Sequence, residues 1–177
     1  MVIGNSKLST RTTTGLKYLQ FSENKSQYNH RVRKVGAKSA KKVKKIAAII
    51  LENDKEEFLL YLRDNKPGIP FPDHWDLIGG HIEEGETPEE ALVREFKEEL
   101  DLDLKEYTFY KKYECLTGDA YENIKYIYSG KINLPIEKVT LLEGVRPQYF
   151  SREEIPNVKF ANVLKSIVME YISDHYK

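Results

Sequence analysis

The 177-residue chain predicts an α/β fold, on three observations. Short apolar runs bounded by turn residues recur between Ile46 and Phe150. One helix with a complete start signal interrupts them, and one amphipathic helix follows the last run. Ile46 to Leu51 reads as a buried strand and Phe58 to Arg63 as its partner, with Asn53 and Asp54 in the turn between them. The loop Asp64 to Pro72 carries three prolines and a glycine, after which Trp75 to Ile78 leads into Gly79-Gly80. Thr87, Pro88 and Glu90 stand as an N-cap, an N1 proline and the glutamate of a capping box, so a helix begins there and runs to about Leu100. On it Val93, Phe96 and Leu100 form the packing stripe, with Glu95, Glu98 and Glu99 on another side. Tyr107 to Leu116 and Ile124 to Ile132 form an antiparallel pair across a loop containing Gly118, and Val145 to Phe150 is a further strand. Phe160 to Tyr176 has Val163, Leu164, Ile167, Val168, Tyr171 and Ile172 at helical spacing, a core-facing stripe.

The formal net charge of zero conceals two halves. Met1 to Lys45 holds 12 Lys or Arg and one acid, Glu23, whereas Ile46 to Lys177 holds 16 Lys or Arg and 27 Asp or Glu, so the halves carry +11 and −11. The first stretch lacks periodicity and reads as a basic, disordered arm over residues 1–43, with one apolar knot at Leu16, Tyr18, Leu19 and Phe21, ahead of a domain over 44–177. Residues 31–45 are basic enough for weak contact with a polyanion or nucleic acid, falling with salt, although a solvated tail without a partner has the same composition. No run of about twenty apolar residues and no secretory signal appears, which predicts a cytoplasmic protein without a membrane span; a basic, acid-poor N-terminus also suits an organelle-targeting segment. The lone cysteine, Cys115, excludes an internal disulfide and reads as a small core residue.

The chemistry concentrates in Gly80-x5-Glu86-x7-Arg94-Glu95-Phe96-x-Glu98-Glu99-x-Asp101-Leu102. Three carboxylates so close on one helix repel one another by roughly a few tenths of a kcal/mol per pair, a cost that a divalent cation removes. Mg2+ prefers oxygen ligands and is commonly held by one or two carboxylates together with substrate phosphates. A Glu-rich helix face is otherwise usually just solvated, but a soluble helix needs neither the Gly79-Gly80 pair nor the fixed offsets to Glu86 and Arg94.

This segment resembles the Nudix box of the Nudix hydrolases, G-x5-E-x7-R-E-U-x-E-E-x-G-U, where U is a bulky apolar residue. It departs only where Asp101 replaces a glycine, and Asp is among the few residues that share glycine's left-handed backbone. The wider likeness spans about residues 44 to 172. It implies an α/β/α sandwich with a mixed sheet. It also implies Mg2+-dependent hydrolysis of a nucleoside diphosphate-linked substrate, with Mn2+ a possible substitute. Within the family, the MutT-like branch that sanitises the nucleotide pool is the nearest pattern, implying a nucleoside triphosphate, such as an oxidised guanine nucleotide, cleaved to monophosphate and pyrophosphate. Glu95, Glu98 and Glu99 then stand as metal ligands with the Gly79 carbonyl, and Arg94 and Glu86 as orienters. Glu143, in Leu141 to Ser151, resembles a glutamate of that branch that serves as metal ligand or general base.

Substrate contacts are less constrained. Arg63 is either a phosphate contact or a solvated strand end. Asn162, in Lys159-Phe160-Ala161-Asn162, is either a reader of a base edge or the N-cap of the last helix. Trp75, Tyr121 and Phe160 either stack on a base or pack, and His81 is the better phosphate contact of the two histidines flanking the glycines. Two other functions share the pattern: a catalytically weak nucleotide-binding regulator, and an RNA-associated pyrophosphohydrolase that uses the basic arm.

Overall fold

The computed structural model describes residues 43–176. The expected arm and its apolar knot lie outside the described residues. Seven strands build one mixed sheet: β1 (Lys44–Glu52), β2 (Phe58–Leu62), β3 (Trp75–Asp76), β4 (Ile78–His81), β5 (Thr108–Cys115), β6 (Asn123–Lys131) and β7 (Arg146–Phe150). Helix α1 (Pro88–Leu100) follows β4, and helix α2 (Leu164–His175) lies near the end of the chain.

Strand β1 is the spine. Parallel β6 pairs with its full length from Lys44–Asn123 to Glu52–Lys131, and β5 adds antiparallel to β6 with a bulge between Phe109 and Lys111. On its other side β1 meets β2 only at Leu51–Leu59 and Glu52–Phe58, and then the two diverge. The segment 75–81 fills the gap. Its first part pairs with β2 at Tyr61–Asp76 and its second with β1 from Ile46–His81 to Ile49–Ile78. Strand β7 closes the far edge of β2.

Alternation along β1 separates two cores, as the two-residue period of a strand requires. Ala48 and Ile50 face a cluster with Phe58, Leu60, Phe150, Leu164, Ile167, Val168 and Tyr171, the α2 side. Ala47, Ile49 and Leu51 face a cluster with Leu92, Phe96, Leu100 and Tyr128, the α1 side. This is the α/β/α sandwich. Each fully buried Leu, Ile or Phe contributes about 1.5–3 kcal/mol, so the two sides together secure the sheet.

Helix α1 starts as the sequence predicts: Thr87 Oγ1 accepts from Glu90 N at 3.2 Å and Glu90 Oε2 accepts from Thr87 N at 2.8 Å. It ends at Asp101, whose φ of 54° is left-handed and whose N–H donates to the Lys97 carbonyl at 3.0 Å. Aspartate thus performs the glycine's backbone role. The packing face differs from expectation, because Val93 is exposed and the buried set is Ala91, Leu92, Phe96, Glu99 and Leu100. The last helix begins four residues later than its periodicity suggests. Lys159 and Ala161 are tied to Trp75, whose N–H donates to the Lys159 carbonyl at 2.9 Å and whose carbonyl accepts from Ala161 N at 2.8 Å. Asn162 then turns left-handed at φ 45° before the helix can start.

Candidate active site

Strand β4 and helix α1 meet through two glycines. A Cβ on Gly80 would lie 2.4–2.5 Å from the Glu95 carboxylate, and one on Gly79, at φ 137°, would lie 2.2 Å from the Ala47 carbonyl. Only bare backbone lets the helix carboxylates reach the strand. Glu99 uses this approach: its Oε2 accepts from Gly79 N at 2.9 Å, and its side chain is buried at 3% exposure. Burial pushes its carboxyl up to about 9, beyond what the Gly79 bond offsets.

Arg94 organises the other acids. Its Nε and Nη2 grip Glu86 at 2.7 and 3.0 Å, its Nη1 reaches Glu95 at 2.9 Å and Glu98 at 3.1 Å, and its Nη2 also donates to the His81 carbonyl at 3.0 Å. The bidentate fork, with a further bond from Glu83 N, holds the Glu86 carboxyl down to about 2. Glu95 moves the other way. Its burial raises it more than Arg94 lowers it. Glu98 is exposed.

Glu95 and Glu99, but not Glu86, Arg94 or Glu98, border a cavity of about 280 Å³, lined among others by Tyr61, Arg63, Asp76, Gly79, Gly80, His81, Glu143 and Asn162. A larger groove of about 580 Å³, lined by Asn53, Leu134, Pro135, Ile136 and Tyr149 among others, holds none of the box residues. Glu143 reaches the cavity from the loop before β7, which is fastened on both sides: Leu142 N donates to the Glu99 carbonyl and Val145 N to the Leu62 carbonyl, both at 2.8 Å. The last turn of α1 and this loop are therefore one unit.

The structure brings together most residues singled out by sequence. Arg63 lines the cavity but is bonded to Asp76 at 2.6 Å and to the Pro70 carbonyl at 3.1 Å. His81 lines it too, its Nε2 lying 2.8 Å from the Tyr121 hydroxyl; burial, then Lys44 and Lys125, lower its pKa. Asn162 is not the N-cap. Its Oδ1 accepts from Leu164 N at 3.1 Å, although the N-cap position is Val163, and its side chain also lies at the cavity. Trp75 and Phe160 do not line the cavity. Phe160 is buried in the α2-side core, and Trp75 packs edge-on against Phe150 at 4.7 Å under the Arg146 guanidinium. Both pack because the 159–161 segment bridges to Trp75 and pulls their rings into the sheet's own core.

Sequence reasoning overlooked Tyr61, Asp76, Asp119 and Lys125, all of which line the cavity. The strand period flags Lys125, since it shares parity with buried Asn123 and Ile127. The others carry no comparable signal.

The expected convergence of Glu95, Glu98 and Glu99 is only partial. Among the described residues, no three carboxylate or imidazole groups are gathered around a point where a metal ion would sit. Arg94 draws Glu95 and Glu98 toward itself, and Glu99 turns inward to Gly79. The donor chemistry still fits a hard divalent cation: oxygen donors only, three of them on one helix at spacing i, i+3 and i+4, with Glu143 on the same cavity.

Comparison with known proteins agrees with this geometry. A family model described as NUDIX domain matches residues 42–168. The chain is 32% identical over 92 residues to an 8-oxo-dGTP diphosphatase of Haemophilus influenzae, covering 52% of this chain and 58% of that protein. It is 31% identical over 117 residues to an RNA pyrophosphohydrolase of Nitratiruptor, covering 64% of each. The matches thus span less than two thirds of these relatives' length. In fold it is similar to a MutT protein of Methanosarcina mazei Go1, with a TM-score of 0.61, 20% identity, and 76% of this chain and 96% of that one covered. With the family model spanning most of the sequence and Gly80, Glu95 and Glu99 of the box placed at one cavity, the chain belongs to the NUDIX domain family.

Proposed function

We propose that this chain is a metal-dependent pyrophosphohydrolase that cleaves a nucleoside triphosphate to its monophosphate and pyrophosphate. One observation carries the reading. Glu99 is buried with a backbone N–H as its hydrogen-bond partner among the described residues, so burial favours its protonated form and the ionised carboxylate is costly there unless a cation meets it. Nudix hydrolases generally use divalent metal ions. Glu95, Glu98 and Glu99, with the Gly79 carbonyl, would hold Mg2+, or Mn2+ in its place. Bound there, the cation would lower the pKa of a water and neutralise charge on the phosphates.

The chain's own residues have separate tasks. Arg94, fixed by Glu86 and the His81 carbonyl, orients Glu95 and Glu98 through its Nη1. Glu143 lines the cavity with the remaining acids and is the general base that accepts a proton from the attacking water. Arg63, bonded to Asp76, and His81 line the same cavity. Kept neutral-leaning by its surroundings, His81 acts as a hydrogen-bonding group and not as a fixed cation. The relatives named as 8-oxo-dGTP diphosphatase and RNA pyrophosphohydrolase support anhydride cleavage beside a nucleoside.

The test is pyrophosphate release from GTP and 8-oxo-dGTP with Mg2+, with Mn2+ and with chelator, using the full chain and Glu98→Gln. The amide keeps shape and removes charge, so turnover should require the metal and fall at least a hundredfold in the variant. Variant turnover within twofold of the parent at saturating Mg2+ refutes the ligand set.

A further inference from the structure

Lys125 is a charged side chain in a costly place. Its ammonium is 3% exposed and its partner among the described residues is Asp119, at 2.9 Å and 5% exposed. Both residues line the cavity that holds Glu95, Glu99 and Glu143. Lys125 lies opposite Ile46, which lies opposite His81, so one row of the sheet crosses from β4 through β1 to β6. At about 4.8 Å per strand, Lys125 stands roughly 10 Å across the sheet from His81 and from the glycine strand that meets the box helix.

The hydrogen-bond inventory of this pair is incomplete. An ammonium has three donors, and Asp119 occupies one of them. Asp119 accepts from Ala120 N at 2.7 Å through Oδ1, and from Asn123 Nδ2 at 2.9 Å and Lys125 through Oδ2, which leaves one of a carboxylate's roughly four acceptor sites. Burial alone would raise the Asp119 carboxyl, but the bonds from Lys125 and Asn123 outweigh it and hold it below its ordinary range, so it stays an acceptor. Asn123 holds both Asp119 and the Tyr121 carbonyl, at 2.9 and 2.8 Å, while its own buried Oδ1 has no partner among the described residues. The loop is fixed at the expense of that oxygen.

Charge decides what this side of the cavity can take. Its two cations, Lys125 and Arg63, are each cancelled by a bonded acid, Asp119 and Asp76, so a polyphosphate finds no uncompensated cation in either. A neutral group that offers an acceptor and a donor side by side fits the free donors of Lys125 and the free acceptor site of Asp119. The Tyr121 ring, stacked on His81 at 6.0 Å and 23°, walls the same space.

We propose that Lys125 and Asp119 read the base of the substrate, Lys125 donating to a carbonyl oxygen and Asp119 accepting from the adjacent ring N–H of a lactam-type base such as hypoxanthine or guanine. This rests on the cavity being the nucleotide site described above. Adenine presents the reverse order, an amino donor beside a ring acceptor, and leaves both buried groups mismatched.

ITP and ATP differ only at this edge, which makes them the probe. With Mg2+, the parent should show kcat/KM for ITP roughly ten- to a hundredfold above that for ATP, the range expected when buried polar groups are left unpaired. In the double variant Asp119→Leu with Lys125→Met, which removes both charges together and leaves neither buried alone, that ratio should collapse to within threefold, mainly through a higher KM for ITP. A parent ratio within threefold overturns the proposal without any variant. So does an unchanged ratio in the variant. Binding of IMP and AMP to the metal-free parent, followed by ligand-observed NMR, separates the two claims: preference for IMP without turnover of any triphosphate refutes the hydrolase reading and leaves the base-reading pair standing. Turnover without preference refutes the pair alone, and neither binding nor turnover refutes both.

Discussion

Replacing Glu99 by glutamine should make the metal-free protein less sensitive to pH while destroying its use of metal. The Glu99 carboxyl is raised to about 9 in the folded chain by burial, against an ordinary value near 4.5. Between those values the native state holds a proton that the unfolded chain has lost, so the associated stability is complete below about 4.5 and is lost as pH rises toward 9. One unit of pH in that window is about 1.4 kcal/mol, so stability should fall by about 2 kcal/mol between pH 7 and 8.5. For a domain of this size that is roughly 4–8 °C in Tm. Glutamine keeps an acceptor for Gly79 N and mimics the protonated acid, so Glu99→Gln should show a slope smaller by that amount and a Tm near the parent's at pH 7. His81, lowered from its ordinary 6.5 by burial, acts with the opposite sign and below the pH 7–8.5 range of the comparison. Mg2+ should flatten the parent's slope by favouring the ionised carboxylate, releasing a proton as it binds. Thermal unfolding of both proteins in chelator across pH 7–8.5 is the assay. Equal slopes in parent and variant, or a parent that gains stability toward pH 8.5, would refute the reasoning.

Other perturbations test the surrounding parts. Gly80→Ala places a Cβ within 2.5 Å of the Glu95 carboxylate, so turnover should fall at least tenfold with a Tm change that Glu95→Gln shares; unchanged turnover shows the approach is slack. Asn162→Ala removes the bond to Leu164 N and sets a side chain at φ 45°, which should cost about 1–2 kcal/mol, while Asn162→Gly should cost less; equal losses in chemical denaturation would contradict the backbone account. Deleting residues 1–42, which precede β1, should leave turnover of small nucleotides within twofold and weaken binding to polyanions, and a truncated protein that loses activity would place the arm in the domain.

Local patterns were legible wherever one short segment fixes its own geometry. The capping box at Thr87 and Glu90 and the left-handed Asp101 formed as their sequence dictates, because each depends on a few adjacent residues. The box offsets located the Glu86, Arg94 and Glu95 cluster for the same reason. The failures were tertiary. Val93 stands exposed and Glu99 is buried because the glycine strand pulls Glu99 inward, which a helical wheel of the sequence alone does not show. Periodicity puts Phe160 on the last helix and leaves stacking and packing both open, and only the bridge to Trp75 settles that it lies before the helix and in the core. Asp76 stands more than forty residues from Asp119 and Lys125, and the three acquire meaning only when β3, β6 and the loop before β6 bring them to one cavity.

The products formed from a nucleoside triphosphate test the proposed hydrolysis most directly. Full-length protein incubated with GTP, ITP or 8-oxo-dGTP and Mg2+ in 18O-labelled water should yield the nucleoside monophosphate and pyrophosphate in equal amounts, with one 18O atom shared between the two products per turnover. Release of inorganic phosphate in place of pyrophosphate, or no turnover with any of these substrates in Mg2+ or Mn2+, would contradict it.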